Sequence, residues 1–158
     1  MDELVLEGKT KTGELDFKMA AAACYLPVAM INVLASVVFL ATEPKEHRFV
    51  RFHAVQSLVL ALVSFVGSMG LVVGGMMVLP LVIMVFGGAL GSVLPSDLAD
   101  MVFGVLSLLA GLSYVVGGLG GMLVALAYPA VSLLMLFMVF TGKHLRLPLL
   151  GGIATRFA

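Results

Sequence analysis

Charge is missing from this chain over distances that few soluble folds tolerate. From His53 to Ser96, with the histidine neutral, and again from Met101 to Gly142, more than forty consecutive residues pass without a formal charge. A helix needs about 20 apolar residues to cross roughly 30 Å of hydrocarbon, so each run is about twice one crossing. A third uncharged stretch, "MAAAACYLPVAMINVLASVVFLA" over residues 19–41, is long enough for one. The composition agrees: 61% of the 158 residues are hydrophobic and 11% charged, against about 25% charged in soluble domains. Residues 1–18 are expected to be a polar N-terminal tail, 19–142 a transmembrane helical domain, and 143–158 a basic C-terminal tail.

The nine acidic and nine basic residues cancel, so no net field recruits nucleic acid. Their placement is more informative than their sum. Lys45, Arg48 and Arg51 occupy the first loop and Lys143 and Arg146 follow the last apolar run, whereas the connection holding Asp97 and Asp100 has no basic residue. The positive-inside rule puts the two basic segments on one face of the membrane, which requires an even number of crossings between them. Run length favours two crossings per run, and the expected fold is an all-α, compact polytopic bundle of about four or five transmembrane helices (range three to five), with scope for a re-entrant hairpin. Glycine pairs at Gly74–Gly75 and Gly87–Gly88, the "GGLGG" at 117–121, Pro80 and Pro95 are the candidate turns. Pro27 predicts a kink in the first span. The acidic first eighteen residues lack the basic start of a signal peptide, so insertion is expected to be directed by the spans themselves.

Small residues recur four apart at Ser64 and Ser68, Gly70 and Gly74, Gly87 and Gly91, and Gly117 and Gly121. In lipid such pairs let helices approach closely, within one chain or between subunits. The eleven methionines read first as adaptable core filling. With no tryptophan present, Phe49, Phe52, Tyr128 and Tyr25 are the candidates for an interfacial aromatic belt.

Enzymatic chemistry lacks parts. Ionisable residues between Met19 and Gly142 fall in the first loop, at its edge, or at Asp97 and Asp100, and no metal-ligand set, nucleophile motif or phosphate loop is present. The single cysteine, Cys24, excludes an internal disulfide and reads as a small residue of the first span. Asp97 and Asp100, after Pro95 and with Ser96 as a candidate N-cap, suit the positive end of a helix dipole. No catalytic residue, cofactor or metal is expected. His53, Gln56 and Ser57 lie three and four apart and share a helix face that continues through Ala61, Ser64 and Ser68. That face is either a binding groove or polar path, or a packing seam headed by an interfacial histidine bonded to a loop carbonyl. Arg48, Arg51, Lys143 and Arg146 are placed to anchor helix ends at lipid headgroups.

Two stretches taken together carry a resemblance. "RFVRFHAVQSLVL" and, beyond the apolar region, "TGKHLRLPLLGGIA" resemble the family that contains the small multispanning subunit of the chloroplast inner-envelope protein-import translocon, many uncharacterised bacterial membrane proteins, and the magnetosome membrane proteins that influence crystal size. Arg51, Phe52, His53, Ala54, Gln56, Ser57 and Leu58 fill its first motif, and Gly142, Lys143, Leu147, Pro148 and Leu149 its second. The interval between the motifs is long for that family, so residues 80–100 are expected to be an insertion forming an extra hairpin or a re-entrant pair. The resemblance implies a compact helical module found in protein translocation and in organelle biogenesis rather than one shared reaction, and the expected function is that of a non-enzymatic multi-pass protein of the bacterial inner membrane, a small subunit or assembly and scaffold factor of a larger complex. Its expected partners are the bilayer and other membrane proteins, or further copies of itself through small-residue faces. The alternative is an oligomeric channel or translocation component for polypeptide, ion or small solute.

Overall fold

A computed structural model describes residues 8–141; Gly142, Lys143, Arg146 and Pro148 lie outside the described residues. The elements in order are α1 (Phe17–Ala23), α2 (Ala29–Thr42), α3 (Arg48–Val73), a π-helical segment (Gly74–Val78), α4 (Leu79–Gly91) and α5 (Ser96–Phe140). Among the described residues there is no strand, only an isolated antiparallel bridge between Lys9 and Asp16. The all-helical expectation therefore holds, and its physical origin is direct: an apolar run with few turn residues satisfies its backbone polar groups most locally as a helix.

The division of that helix differs from expectation. Residues 48–91 form one uninterrupted helical stretch of 44 residues and Ser96–Phe140 one of 45, each roughly 66–68 Å long at 1.5 Å per residue. Neither the glycine pairs nor Pro80 turns the chain. Gly74 and Gly75 enter the π segment, Pro80 sits in the first turn of α4, where its missing N–H costs little, and only residues 92–95 reverse direction. Two helices are thus long and apolar enough to cross a membrane. The first apolar stretch departs the other way, since α1 and α2 are separated by a break at residues 24–28 containing Pro27. Ser96 is the first residue of α5, its hydroxyl 3.4 Å from Asp97, and Asp97 lies in the first turn.

The chain forms two compact units. Among the described residues, one comprises 8–63 together with 127–141 and contains the principal buried core: Phe17, Ala20, Tyr25, Phe39, Val50, Ala54, Met135 and Val139.

The other unit, Ser64–Leu126, is two antiparallel helical arms held together by glycine. A Cβ built on Gly75 would lie 2.5 Å from the Cα of Gly117, and one on Gly117 would lie 2.8 Å from the carbonyl oxygen of Leu71. A Cβ on Gly121 would meet Cγ2 of Val72 at 2.5 Å, and one on Gly87 would meet Cδ1 of Leu106 at 2.7 Å. Backbones this close leave no space for a side chain, so the small-residue pairs at 117/121 and at 87/91 pack within the chain. Gly70 and Gly74 meet nothing within 4 Å and take no part. Outward from this seam the unit is apolar, with Leu71, Met77, Leu81, Phe86, Leu108 and Val116 among its exposed side chains.

Gly117→Ala should therefore lower thermal stability by about 1–3 kcal/mol through overpacking. Gly70→Ala, open on all sides, should raise it by about 0.4–1 kcal/mol. Circular-dichroism melts of both variants test the seam, and equal effects would exclude it.

Candidate functional site

The polar residues of the first motif do not face outward. Phe52, His53, Gln56 and Ser57 are all buried in the first unit, with His53 at 1% and Gln56 at 0% exposure. The break between α1 and α2 is what they enclose. Where α1 ends at Cys24 the chain leaves its helix, and a carbonyl released this way must find a donor if it is buried. The Ser57 hydroxyl donates to the carbonyl oxygen of Cys24, which is how α3 closes the gap in the first apolar stretch.

His53 lies one turn before Ser57. Its Nδ1 shares a hydrogen bond of 3.2 Å with the hydroxyl of Tyr25, the residue after Cys24. Three rings meet the imidazole edge-on: Phe49 at 4.6 Å, Phe52 at 5.3 Å and Tyr25 at 5.7 Å between centroids. His53 is therefore a core histidine in an aromatic cage with a tyrosine partner, not an interfacial one bonded to a loop carbonyl. For the same reason Tyr25, Phe49 and Phe52, at 0%, 2% and 4% exposure, form no outward belt. The sequence pattern could not separate these cases, because a buried aromatic and an interfacial one occupy the same position relative to the end of an apolar run.

A row of neutral polar side chains extends from this point. Asn32 and Ser36 lie four apart on α2, and Tyr128 and Ser132 four apart on α5. The Asn32 amide donates to the Tyr128 hydroxyl, and Asn32, Ser36, Gln56 and Ser132 are buried to 1% exposure or less. Several of their polar atoms have no protein partner: Asn32 Oδ1, Ser36 Oγ, Ser132 Oγ, and both Oε1 and Nε2 of Gln56. Ser64 and Ser68, further along the polar face expected of α3, are only partly buried and fall in the other unit. The face therefore ends as a buried feature at Ser57. Among the described residues no three His, Cys, Asp or Glu side chains gather to hold a metal.

A second polar centre sits at the α2–α3 connection, and sequence reasoning missed it. The buried carboxylate of Glu43 accepts the backbone N–H of Lys11 at 3.1 Å and of Thr12 at 3.0 Å, and pairs with Nδ1 of His47 at 2.7 Å. The rings of His47 and Phe17 lie 4.7 Å apart. Residues 8–16, part of the expected polar N-terminal tail, are thereby held against the loop, with Thr10 buried and its N–H donating to the Leu15 carbonyl at 2.8 Å. Arg51 completes the centre. Its Nη1 donates to the carbonyls of Leu40 at 2.9 Å and Glu43 at 3.0 Å, capping the open end of α2. Its guanidinium is thus engaged within the protein at a position that sequence alone assigns to headgroups, while Arg48 is exposed. The available signal was the four-residue spacing of Glu43 and His47, an i,i+4 pair in a short polar loop.

No family model matches this chain, and no curated protein or solved structure matches it either.

Burial of Glu43 pushes its carboxyl pKa up, but the hydrogen bond with His47 and the two backbone N–H groups outweigh that and hold it below the ordinary 4.5. A depressed folded pKa means the stabilisation is fully present above about pH 4.5 and fades as pH falls through the lowered value. The protection of the Lys11 and Thr12 amides, measured relative to intrinsic exchange at each pH, should fall over that acidic window. Glu43→Gln should lower that protection already at neutral pH and remove its acid dependence; full protection retained in the variant at every pH would refute the docking.

Proposed function

We propose that this chain is an integral, multi-pass protein of the bacterial inner membrane that acts without catalysis, as a small subunit or assembly and scaffold factor of a larger membrane complex. One observation carries the reading: the distribution of polarity is inverted relative to a soluble domain. Of the most apolar window in residues 48–91 only 6% is buried, and of that in Ser96–Phe140 only 17%. Asn32, Ser36, His53, Gln56 and Ser132 lie inside, while Leu62, Phe65, Met84, Phe86 and Leu108 lie outside. An exposed apolar surface of this extent is stable against lipid or against other apolar protein, and not against water.

The reading keeps about four or five crossings. What supports that number is length alone, since each long helix is roughly twice the ~30 Å a single crossing requires. Membership of the translocon-subunit and magnetosome-protein family belongs to the same proposal and rests on Arg51, Phe52, His53, Gln56 and Ser57. A scaffold role follows from chemistry. Asn32, Ser36, Gln56 and Ser132 are buried and carry no charge, and what is presented to neighbours is apolar surface suited to lipid and partner helices.

The test is extraction followed by partner analysis. The protein should stay in the membrane fraction through alkaline carbonate, and mild detergent with crosslinking should recover it in a defined heteromeric complex. Carbonate release would overturn the membrane assignment, and a lone monomer would overturn the subunit role. A homo-oligomer that conducts ions or solutes in liposomes would move the assignment to a channel.

A further inference from the structure

The row beside the first motif leaves more hydrogen-bonding capacity unused than a dry protein core tolerates. Gln56 is fully buried and neither atom of its amide has a protein partner. The conclusion does not depend on which way the amide is turned, because both ends are open. Ser132 Oγ, Ser36 Oγ and Asn32 Oδ1 are open as well.

The same core brings these groups near one another. Val50 and Ala54 of α3 share one buried cluster with Met135 and Val139 of α5, and Gln56 and Ser132 each lie within one helical turn of a member of it. The Asn32–Tyr128 hydrogen bond sets α2 alongside α5, and one turn further along both helices come Ser36 and Ser132.

We infer that this layer is an internal water site, in which ordered water is held between the Gln56 amide and the hydroxyls of Ser36 and Ser132. The donor set selects the ligand. Gln56 presents a donor and an acceptor together, the serines can act as either, and no carboxylate is among them, so water satisfies the layer with its usual two to four bonds. A bare cation would satisfy the oxygens and leave the amide N–H groups facing it. The inference stands independently of the membrane assignment, since the layer lies within one helical unit.

X-ray radiolysis footprinting of the intact purified protein tests it, because radicals generated from bound water label side chains that bulk solvent does not reach. Met135, at 0% exposure in the same core, should be oxidised in the native chain and fall to background in Gln56→Leu. The melting temperature should drop in Gln56→Leu and, more mildly, in Ser132→Ala, and should be the same in sodium, potassium and choline chloride at equal ionic strength. Absence of native Met135 labelling, or a rise in melting temperature on replacing Gln56 or Ser132, would mean the layer is dry. A rise in melting temperature with one alkali cation alone would replace water by that ion. If Gln56→Leu fails to fold, Ser132→Ala decides the matter with the same two readouts.

Discussion

A single hydroxyl bridges the break between α1 and α2 in the first unit. Ser57 on α3 donates to the carbonyl that α1 releases at Cys24, and without such a donor the turn at residues 24–28 would bury an unpaired backbone acceptor, at a cost of about 1–3 kcal/mol. Because that bond places α3 against the break, Tyr25 can reach His53 and Gln56 is carried into the interior. The burial of the motif is a consequence of closing a helix gap. Arg51 applies the same logic at the other end of α2, where its guanidinium takes the carbonyls of Leu40 and Glu43. The basic and polar residues of "RFVRFHAVQS" thus serve two successive helix termini.

The second unit solves a different problem. Its outer surface is apolar, so hydrophobic burial between its arms adds little if that surface faces lipid, and close backbone contact must supply the adhesion. Gly75 against Gly117 and Gly121 against Val72 provide it. The two units therefore differ in what holds them, one having a buried apolar core with side chains that cap its helix ends, the other relying on the absence of side chains at its seam.

Much of the helical content was legible in the two uncharged runs, and the shared face of His53, Gln56 and Ser57 in its three- and four-residue spacing. The turns were less legible. Glycine pairs are ambiguous in sequence, since the same residues that permit a reversal also permit two helices to touch. At Gly75 and Gly117 the contact prevailed because a facing glycine was available on the opposite arm. Glu43 was illegible for another reason. Its partners Lys11 and Thr12 lie 32 and 31 residues earlier and contribute backbone N–H groups, which no side-chain pattern records.

The sequence by itself determined that the chain would be helical and apolar over most of its length, because those properties depend on local backbone satisfaction and on composition. It also determined which polar residues would share a helix face. Tertiary structure alone decided that this face turns inward, that Tyr25 completes the surroundings of His53, and that polar atoms of Gln56, Asn32, Ser36 and Ser132 remain without protein partners. Those outcomes depend on the relative register of α2, α3 and α5, which is set by contacts between residues nearly a hundred positions apart, such as Asn32 and Tyr128.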